Sequence, residues 1–314
     1  MQDVFIGVDV SQDTLDVAGC PGKKHAIVAN RKRDIRLWLK SVPAGSRIAM
    51  ESTGRYHQEL AELASEAGLH VYVLNPKRVW HAARGDGRRG KTDRIDAEVI
   101  AKFLRDHIDE LHEWHPATAV HRELNKLERR RHCIERHCTA LAQSLKDVDS
   151  LAQEIRGFSA SMKAMRQAID KRIQDLLAAD AELARKSAQL TTVPTIGQVG
   201  SATLTTLFSQ VQFKSSDAVV AFVGLDVRAK DSGKHRGQRR LTKMGPPHIR
   251  REVWLMGFAG THTKLFKPIY QALLARGIAT TEAIMILGRR ILRIAWAVWR
   301  KDRPFDPQLV GKQA

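Results

Sequence analysis

The sequence predicts an α/β domain at the N-terminus, a long α-helical connector and a mainly α-helical C-terminal domain. Three observations carry this. Short apolar runs separated by polar or Gly/Pro turns continue as far as Leu74. From Val120 to Ile155 the apolar residues recur at alternating steps of four and three. Near the C-terminus Ile284, Leu287, Ile291, Ile294 and Val298 fall on one helical face.

The first domain covers residues 1–112. Val4 to Ser11, Leu15 to Ala18 and His25 to Ala29 read as three short strands forming a meander. Arg31 to Leu39 is helix-like, Ile48 to Glu51 a strand, and Tyr56 to Ala67 a second helix. Val71 to Leu74 is a strand ended by Asn75-Pro76, and Arg94 to Leu104 a third helix. The order βββαβαβα is that of the RNase H-like (RuvC-like) fold. Its acids fall where a nuclease of that fold needs them. Asp9 and Glu51 end two apolar strands, and Lys91-Thr92-Asp93-Arg94-Ile95-Asp96-Ala97 opens the last helix with two more. Residues three apart share a helix face, roughly 5–6 Å apart at Cβ. A pair of acids there also satisfies a helix dipole. Together with Asp9 and Glu51, however, Asp93 and Asp96 would repel one another unless a cation intervened. Hard oxygen ligands of this kind suit Mg²⁺, with Mn²⁺ as an alternative.

Lys77 to Lys91 reads as a mobile loop between the last strand and that helix, kept open by Gly85, Gly87 and Gly90. Its Arg78, Arg84, Arg88, Arg89 and Lys91 are suited to following a phosphate backbone beside the acids, although many charge runs are only solvated surface.

The connector covers residues 113–190. Val120, Leu124, Leu127, Ile134, Cys138, Leu141, Leu145, Val148 and Ile155 form a coiled-coil seam if Arg131 and Ala152 fill its gaps. Gly157 and the following Phe-Ser break it, and a second helix runs from Met162 to Leu190. The two make either a helical hairpin or a coil that pairs with another subunit. Arg131 would be awkward in a dry seam, so pairing or exposure must begin there. His132-Cys133 and His137-Cys138 do not converge on one point from a straight helix, which disfavours zinc.

The third domain covers residues 191–314. Val193-Pro194-Thr195-Ile196-Gly197 is similar to a helix–hairpin–helix turn but carries Thr195 where a glycine is usual, and a plain packing corner fits it equally. A helix from Ser215 to Phe222 ends at Val223-Gly224. Then comes Gly224-Leu225-Asp226-Val227-Arg228-Ala229-Lys230-Asp231-Ser232-Gly233-Lys234, followed by Arg236, Arg239, Arg240 and Lys243. A serine beside glycine among Lys230, Lys234, His235, Arg236 and Arg239 has cations to hold a phosphate and to stabilise a developing oxyanion. Ser-Gly in a basic loop is equally the chemistry of a turn. The last helix, Thr281 to Lys301, reads as core packing with a basic outer surface.

Val8-Asp9-Val10-Ser11, Glu51-Ser52-Thr53-Gly54, Asn75-Pro76, Lys91 to Ala97 and the block around Ser232 occur in the order and spacing of one family. The chain resembles the DEDD transposases of insertion-sequence family 110, which include a subgroup numbered 1111. The resemblance spans nearly the whole chain. It implies a RuvC-like domain whose Asp9, Glu51, Asp93 and Asp96 are catalytic metal ligands, and a transposase domain whose Ser232 is a nucleophile. It also implies a dimer or tetramer in which the carboxylates of one subunit meet the serine of another. A structured noncoding RNA made by the element would select DNA sites by pairing. Family members usually carry Pro after Gly-Leu and often Ser-Ser-Gly; here Asp226-Val227 and Asp231-Ser232-Gly233 stand instead, so a single serine remains for the role.

Composition bounds the partners. Of 314 residues, 52 are Lys or Arg against 34 Asp or Glu, a formal charge of +18. That excess points to a polyanion, DNA or RNA. No apolar run approaches the roughly 20 residues that span a bilayer, which argues against a membrane protein. The N-terminus enters a strand at once, leaving no room for a signal peptide, and Cys20, Cys133 and Cys138 are too few for a disulfide scaffold. A cytoplasmic protein that joins the nucleoid when acting is expected. The function expected is DNA recombination or transposition through a Mg²⁺ carboxylate site and a serine. The rivals are a metal-dependent structure-specific nuclease of the junction-resolvase type, using activated water, and a non-catalytic nucleic-acid-binding protein.

Overall fold

The computed structural model describes residues 4–20, 22, 25–52, 54, 56–85, 93–228 and 239–309. Two compact units divide the chain at Pro116 and Ala117.

In the first unit β1 (Phe5–Val10), β2 (Thr14–Ala18) and β3 (His25–Ala29) form an antiparallel meander. Helix α1 (Lys32–Leu39) follows, then β4 (Arg47–Glu51), α2 (Gln58–Glu66) and β5 (His70–Leu74). Both β4 and β5 add in parallel beside β1, giving the order β3-β2-β1-β4-β5. This mixed sheet is compatible with an RNase H-like fold. Successive strand residues face opposite sides, and the cores follow that alternation. Ile6, Val8, Ile48, Met50 and Val71 pack with Ile35, Leu39 and Leu60 of α1 and α2. Ala49, Tyr72 and Leu74 pack on the other side with Val99, Ile100, Phe103 and Leu104 of α4 (Asp93–Asp106).

One expectation for this unit is corrected. The stretch from Lys77 begins not as a loop but inside α3 (Pro76–Gly85). Asn75, read as a strand terminator, caps that helix: its side-chain oxygen accepts from the Lys77 N–H at 2.9 Å, and Pro76 occupies the first helical position.

In the second unit α5 (Ala119–Ser144) and α6 (Ala152–Ala178) form the hairpin. Arg172 donates to Glu123 at 2.9 Å, Arg131 to Asp170 at 2.6 Å, and Arg166 lies 3.8 Å from Glu135. Partner numbers fall along α6 as they rise along α5, so the helices run antiparallel. The expected break at Gly157 does not occur. Helix α6 passes through it, and the turn lies at residues 145–151 instead. An exposed glycine costs a helix only about 1 kcal/mol, less than a long helix recovers from its packed face. Along the expected seam Leu124 is fully buried and Leu127 and Ile134 are partly covered, whereas Val120 and Leu141 are exposed.

Helix α7 (Ala181–Thr191) starts at Asp180, whose carboxylate accepts from the Glu182 and Leu183 N–H groups, so the expected single helix to Leu190 is two. Then come α8 (Gln198–Gln210) and α9 (Ser216–Val223), the short ribbon of β6 (Val227–Arg228) and β7 (Arg240–Leu241), and α10 (Pro247–Gly260). Helices α11 (Lys267–Ala275) and α12 (Thr280–Lys301) complete the unit. Its core gathers Leu204, Val219, Val253, Phe266, Leu287 and Ile291. Val193 and Ile196 of the corner between α7 and α8 belong to that core. No helix among the described residues is long and apolar enough to cross a membrane.

Candidate functional site

In β1, Val8 pairs with Met50 of β4, so Asp9 and Glu51 are the next residues on two neighbouring parallel strands. Both fall on the α4 side of the sheet. Glu51 is two residues from Ala49, which packs with α4. Asp9 is two residues from Gly7, where α4 touches the strand itself. A Cβ on Gly7 would lie 2.2 Å from the Ala97 carbonyl oxygen and 2.3 Å from the Ala101 nitrogen. Only a residue without a side chain permits that approach. It fixes the start of α4 over β1, with Asp9 about 7 Å along the strand from the contact. Asp96 lies beside Ala97, partly buried like Asp9 and Glu51. Asp93 opens α4, but its side chain lies outside the described residues.

These oxygen donors, at two strand ends and one helix start, fit a hard divalent cation in chemistry. Among the described residues no three His, Cys, Asp or Glu side chains already stand together as a cation site.

A further acid emerges beside Asp9. Asp16 of β2 is its register partner and is only 8% exposed, and its carboxylate meets His25 Nε2 at 2.9 Å. The signal in the sequence was an acid between Leu15 and Val17 in an apolar strand.

The basic candidates divide. Arg78 is engaged in the fold, 3.4 Å from Glu110 and with its guanidinium 5.7 Å from the Phe103 ring centre. Arg88, Arg89, Lys91, Lys230, Ser232, Lys234 and Arg236 lie outside the described residues, as does the side chain of Arg84. Arg239, Arg240 and Lys243 are exposed at the base of the Ser232 segment.

That base is tightly built. Val227 pairs with Leu241 and Arg228 with Arg240, so the chain leaves and returns at adjacent points. Gly224 has a φ of 73°, and a Cβ there would meet the Met244 nitrogen at 2.6 Å. Arg250 donates to the carbonyls of Val223 and Gly245, at 3.0 Å each, and clasps both sides. Asp226, at the position where proline is usual in the resembled family, accepts hydrogen bonds from the Thr242 hydroxyl and from its N–H. These bonds hold the entry path that a proline would stiffen. Sequence reading did not single out Arg250.

A family model described as "Transposase", of the DEDD type in the IS110 group, matches residues 6–151. A second, "Transposase IS116/IS110/IS902 family", matches residues 187–271. The chain belongs to the IS110 family of transposases. It is also similar, at 24% identity over 98% of its length and 99% of the relative's, to a protein named "Pilin gene-inverting protein" from Moraxella bovis. A namesake from Moraxella lacunata is 23% identical over the same shares.

Proposed function

We propose that this protein is a DNA recombinase of an insertion sequence, cutting and rejoining strands with a carboxylate site and a serine nucleophile. The observation that carries the reading is that Asp9, Glu51 and Asp96 lie on the one face of the sheet that α4 covers, in a chain of a transposase family. Asp9, Glu51, Asp93 and Asp96 would hold Mg²⁺, which supplies charge stabilisation for in-line phosphoryl transfer. Ser232 attacks a backbone phosphate, giving up its proton, and the 3′ or 5′ oxygen of the DNA leaves. The phosphoserine ester retains the energy of the broken phosphodiester, so rejoining needs no ATP. The basic residues flanking Ser232 neutralise the phosphate. An element-encoded noncoding RNA would choose the sites, and the working form is an oligomer; both follow from the family resemblance.

A nuclease using water would leave free ends. The relatives' names favour rejoining, since inverting a gene requires cut ends to be sealed in reverse. The test uses Mg²⁺ and a DNA substrate whose nick prevents religation, analysed on a denaturing gel. A protein–DNA adduct is expected with the parent and lost in Ser232→Ala and in Asp96→Asn. Cleavage by Ser232→Ala at the parental rate would establish the water-nuclease reading instead.

A further inference from the structure

The second unit encloses a cavity of about 360 Å³ between α5, α6, α8 and α10. Glu128 lines it, a glutamate only 5% exposed in the middle of a helix. One of its oxygens, Oε1, is buried with no hydrogen-bond partner. A buried carboxyl with an unsatisfied oxygen is costly, and such an orphan signals a ligand that completes it. Gln174, Gln198, Thr203 and His248 line the same cavity. Beyond the His132 and His248 rings, 6.2 Å apart, a second cavity of about 290 Å³ is lined by Arg129 and by Pro246 and Pro247.

The chemistry of this lining narrows the ligand. Among the described residues no cation-holding group of three acids, His or Cys is present. Burial raises the Glu128 carboxyl to about 8 and lowers His248 to about 4, so both are neutral at pH 7. The wall thus offers amides, a hydroxyl, a neutral carboxyl and an imidazole, each able to donate or accept, beside Arg131, which is paired with Asp170 at 2.6 Å and lies 3.8 Å from Glu252. Exposed Arg129 and Lys171 stand at the cavity walls. A lining whose buried charges are paired with one another, with free-standing donors and acceptors beside them and cations at its edge, suits a flat polar ring attached to a polyanion. The volume lies at the small end of ligand pockets, about 300–1,000 Å³.

We propose that this cavity receives one unpaired nucleobase of a DNA strand, its edge hydrogen-bonded by Glu128 and Gln174 and its phosphates drawn toward Arg129 and Lys171. Enzymes that act on DNA read extruded bases in this way, through hydrogen bonds to the exposed edge. The inference rests on the reading of the protein as a DNA-binding recombinase, but not on its strand chemistry.

The full-length protein is titrated with two DNA hairpins of equal length, one fully paired and one with a single bulged 2-aminopurine. Anisotropy gives affinity and 2-aminopurine emission reports the base. The bulged hairpin should bind about tenfold more tightly, as one or two good hydrogen bonds provide, with a saturable change in emission. Glu128→Leu and Gln174→Ala should each remove most of that preference while leaving the paired hairpin's affinity unchanged. Glu128→Gln, which keeps a donor and an acceptor, should retain it. Gln174 is only partly buried, so its truncation tests the site even if Glu128→Leu misfolds. Equal affinity for both hairpins, or a preference untouched by Gln174→Ala and Glu128→Leu, overturns the proposal while DNA binding stands. No binding of either hairpin overturns the DNA reading with it. Free 2-aminopurine nucleotide binding as tightly as the bulged hairpin makes this a small-molecule site and overturns the strand proposal.

Discussion

Gly7 of β1 and Ala97 of α4 touch through their backbones. A methyl group added to Gly7 would stand 2.2 Å from the Ala97 carbonyl oxygen. Both colliding groups, that carbonyl and the Ala101 nitrogen, are main chain, so no side chain can turn aside to make room. Gly7→Ala should therefore lift α4 from the sheet, destabilise the first unit by about 1–3 kcal/mol and abolish strand exchange. Urea denaturation followed by circular dichroism measures the first effect. A variant with parental stability and activity would show that α4 does not depend on this contact.

The carboxylates should behave as one group. Asp9→Asn, Glu51→Gln, Asp93→Asn and Asp96→Asn are each expected to reduce strand exchange on the order of 100-fold or more. Folding should be unchanged or slightly improved in metal-free buffer, because each substitution removes a mutually repelling charge. Strand-exchange assays in Mg²⁺ check this, and full activity in two of the four variants would sink the assignment.

Arg131 ties the hairpin to the rest of its unit. It donates to Asp170 at 2.6 Å and to Glu135 at 3.3 Å, and lies 3.8 Å from Glu252, with its side chain only 16% exposed. Arg131→Leu would leave these acids facing one another with less compensation. The expected loss is on the order of 3 kcal/mol, visible as a lower denaturation midpoint of the helical signal. Arg131→Lys should recover part of it, since one ammonium cannot reproduce the guanidinium fork. A Leu variant within 0.5 kcal/mol of the parent, roughly the scatter of a surface change, would mean that the network contributes nothing.

Glu128 gives stability a pH dependence of definite sign. Burial raises its pKa from 4.5 to about 8, so the folded protein keeps a proton that the unfolded chain releases. Its contribution is whole below pH 4.5 and is lost as the pH climbs to about 8, at up to about 1.4 kcal/mol per unit. His248 runs the other way, its pKa lowered from 6.5 to about 4 chiefly by burial, so its contribution is lost as pH falls through that window. The two slopes oppose one another between pH 4.5 and 6.5, and only Glu128 acts from 6.5 to about 8. Glu128→Gln cannot ionise, so its Tm should gain on the parent's between pH 5 and 8. Parallel Tm profiles over that range would refute the assignment.

Much of the first unit was legible because its signals are local. Apolar runs of strand length that end in Asp9 and Glu51 announce a sheet with acids at its tips. The acids at Asp93 and Asp96 open a helix with clear 3.6-residue spacing. Helix α3 was hidden because its basic, glycine-ended sequence resembles a solvated loop, although Asn75-Pro76 is equally a helix start. Asp16 was signalled only by its place between Leu15 and Val17, and Glu128 not at all, for a different reason. Their burial is imposed by elements distant in the chain, α4 for Asp16 and α8 for Glu128. Gly157 misled because glycine's cost to a helix is small beside the packing of Ile169, Ile173 and Leu177 further along α6.

The ribbon of β6 and β7 has an evolutionary consequence. Arg228 and Arg240 are register partners, and the Arg250 clasp joins Val223 to Gly245 on the two strands' approaches. The ends of the segment that carries Ser232 are thus already brought together by the scaffold. Lengthening a chain closed in this way costs only about 0.6 kcal/mol for each doubling. Residues between those two arginines can be gained, lost or exchanged as a cassette at little expense to the fold. Insertions there should leave the denaturation midpoint of the second unit unchanged so long as Gly224, Gly245 and Arg250 remain.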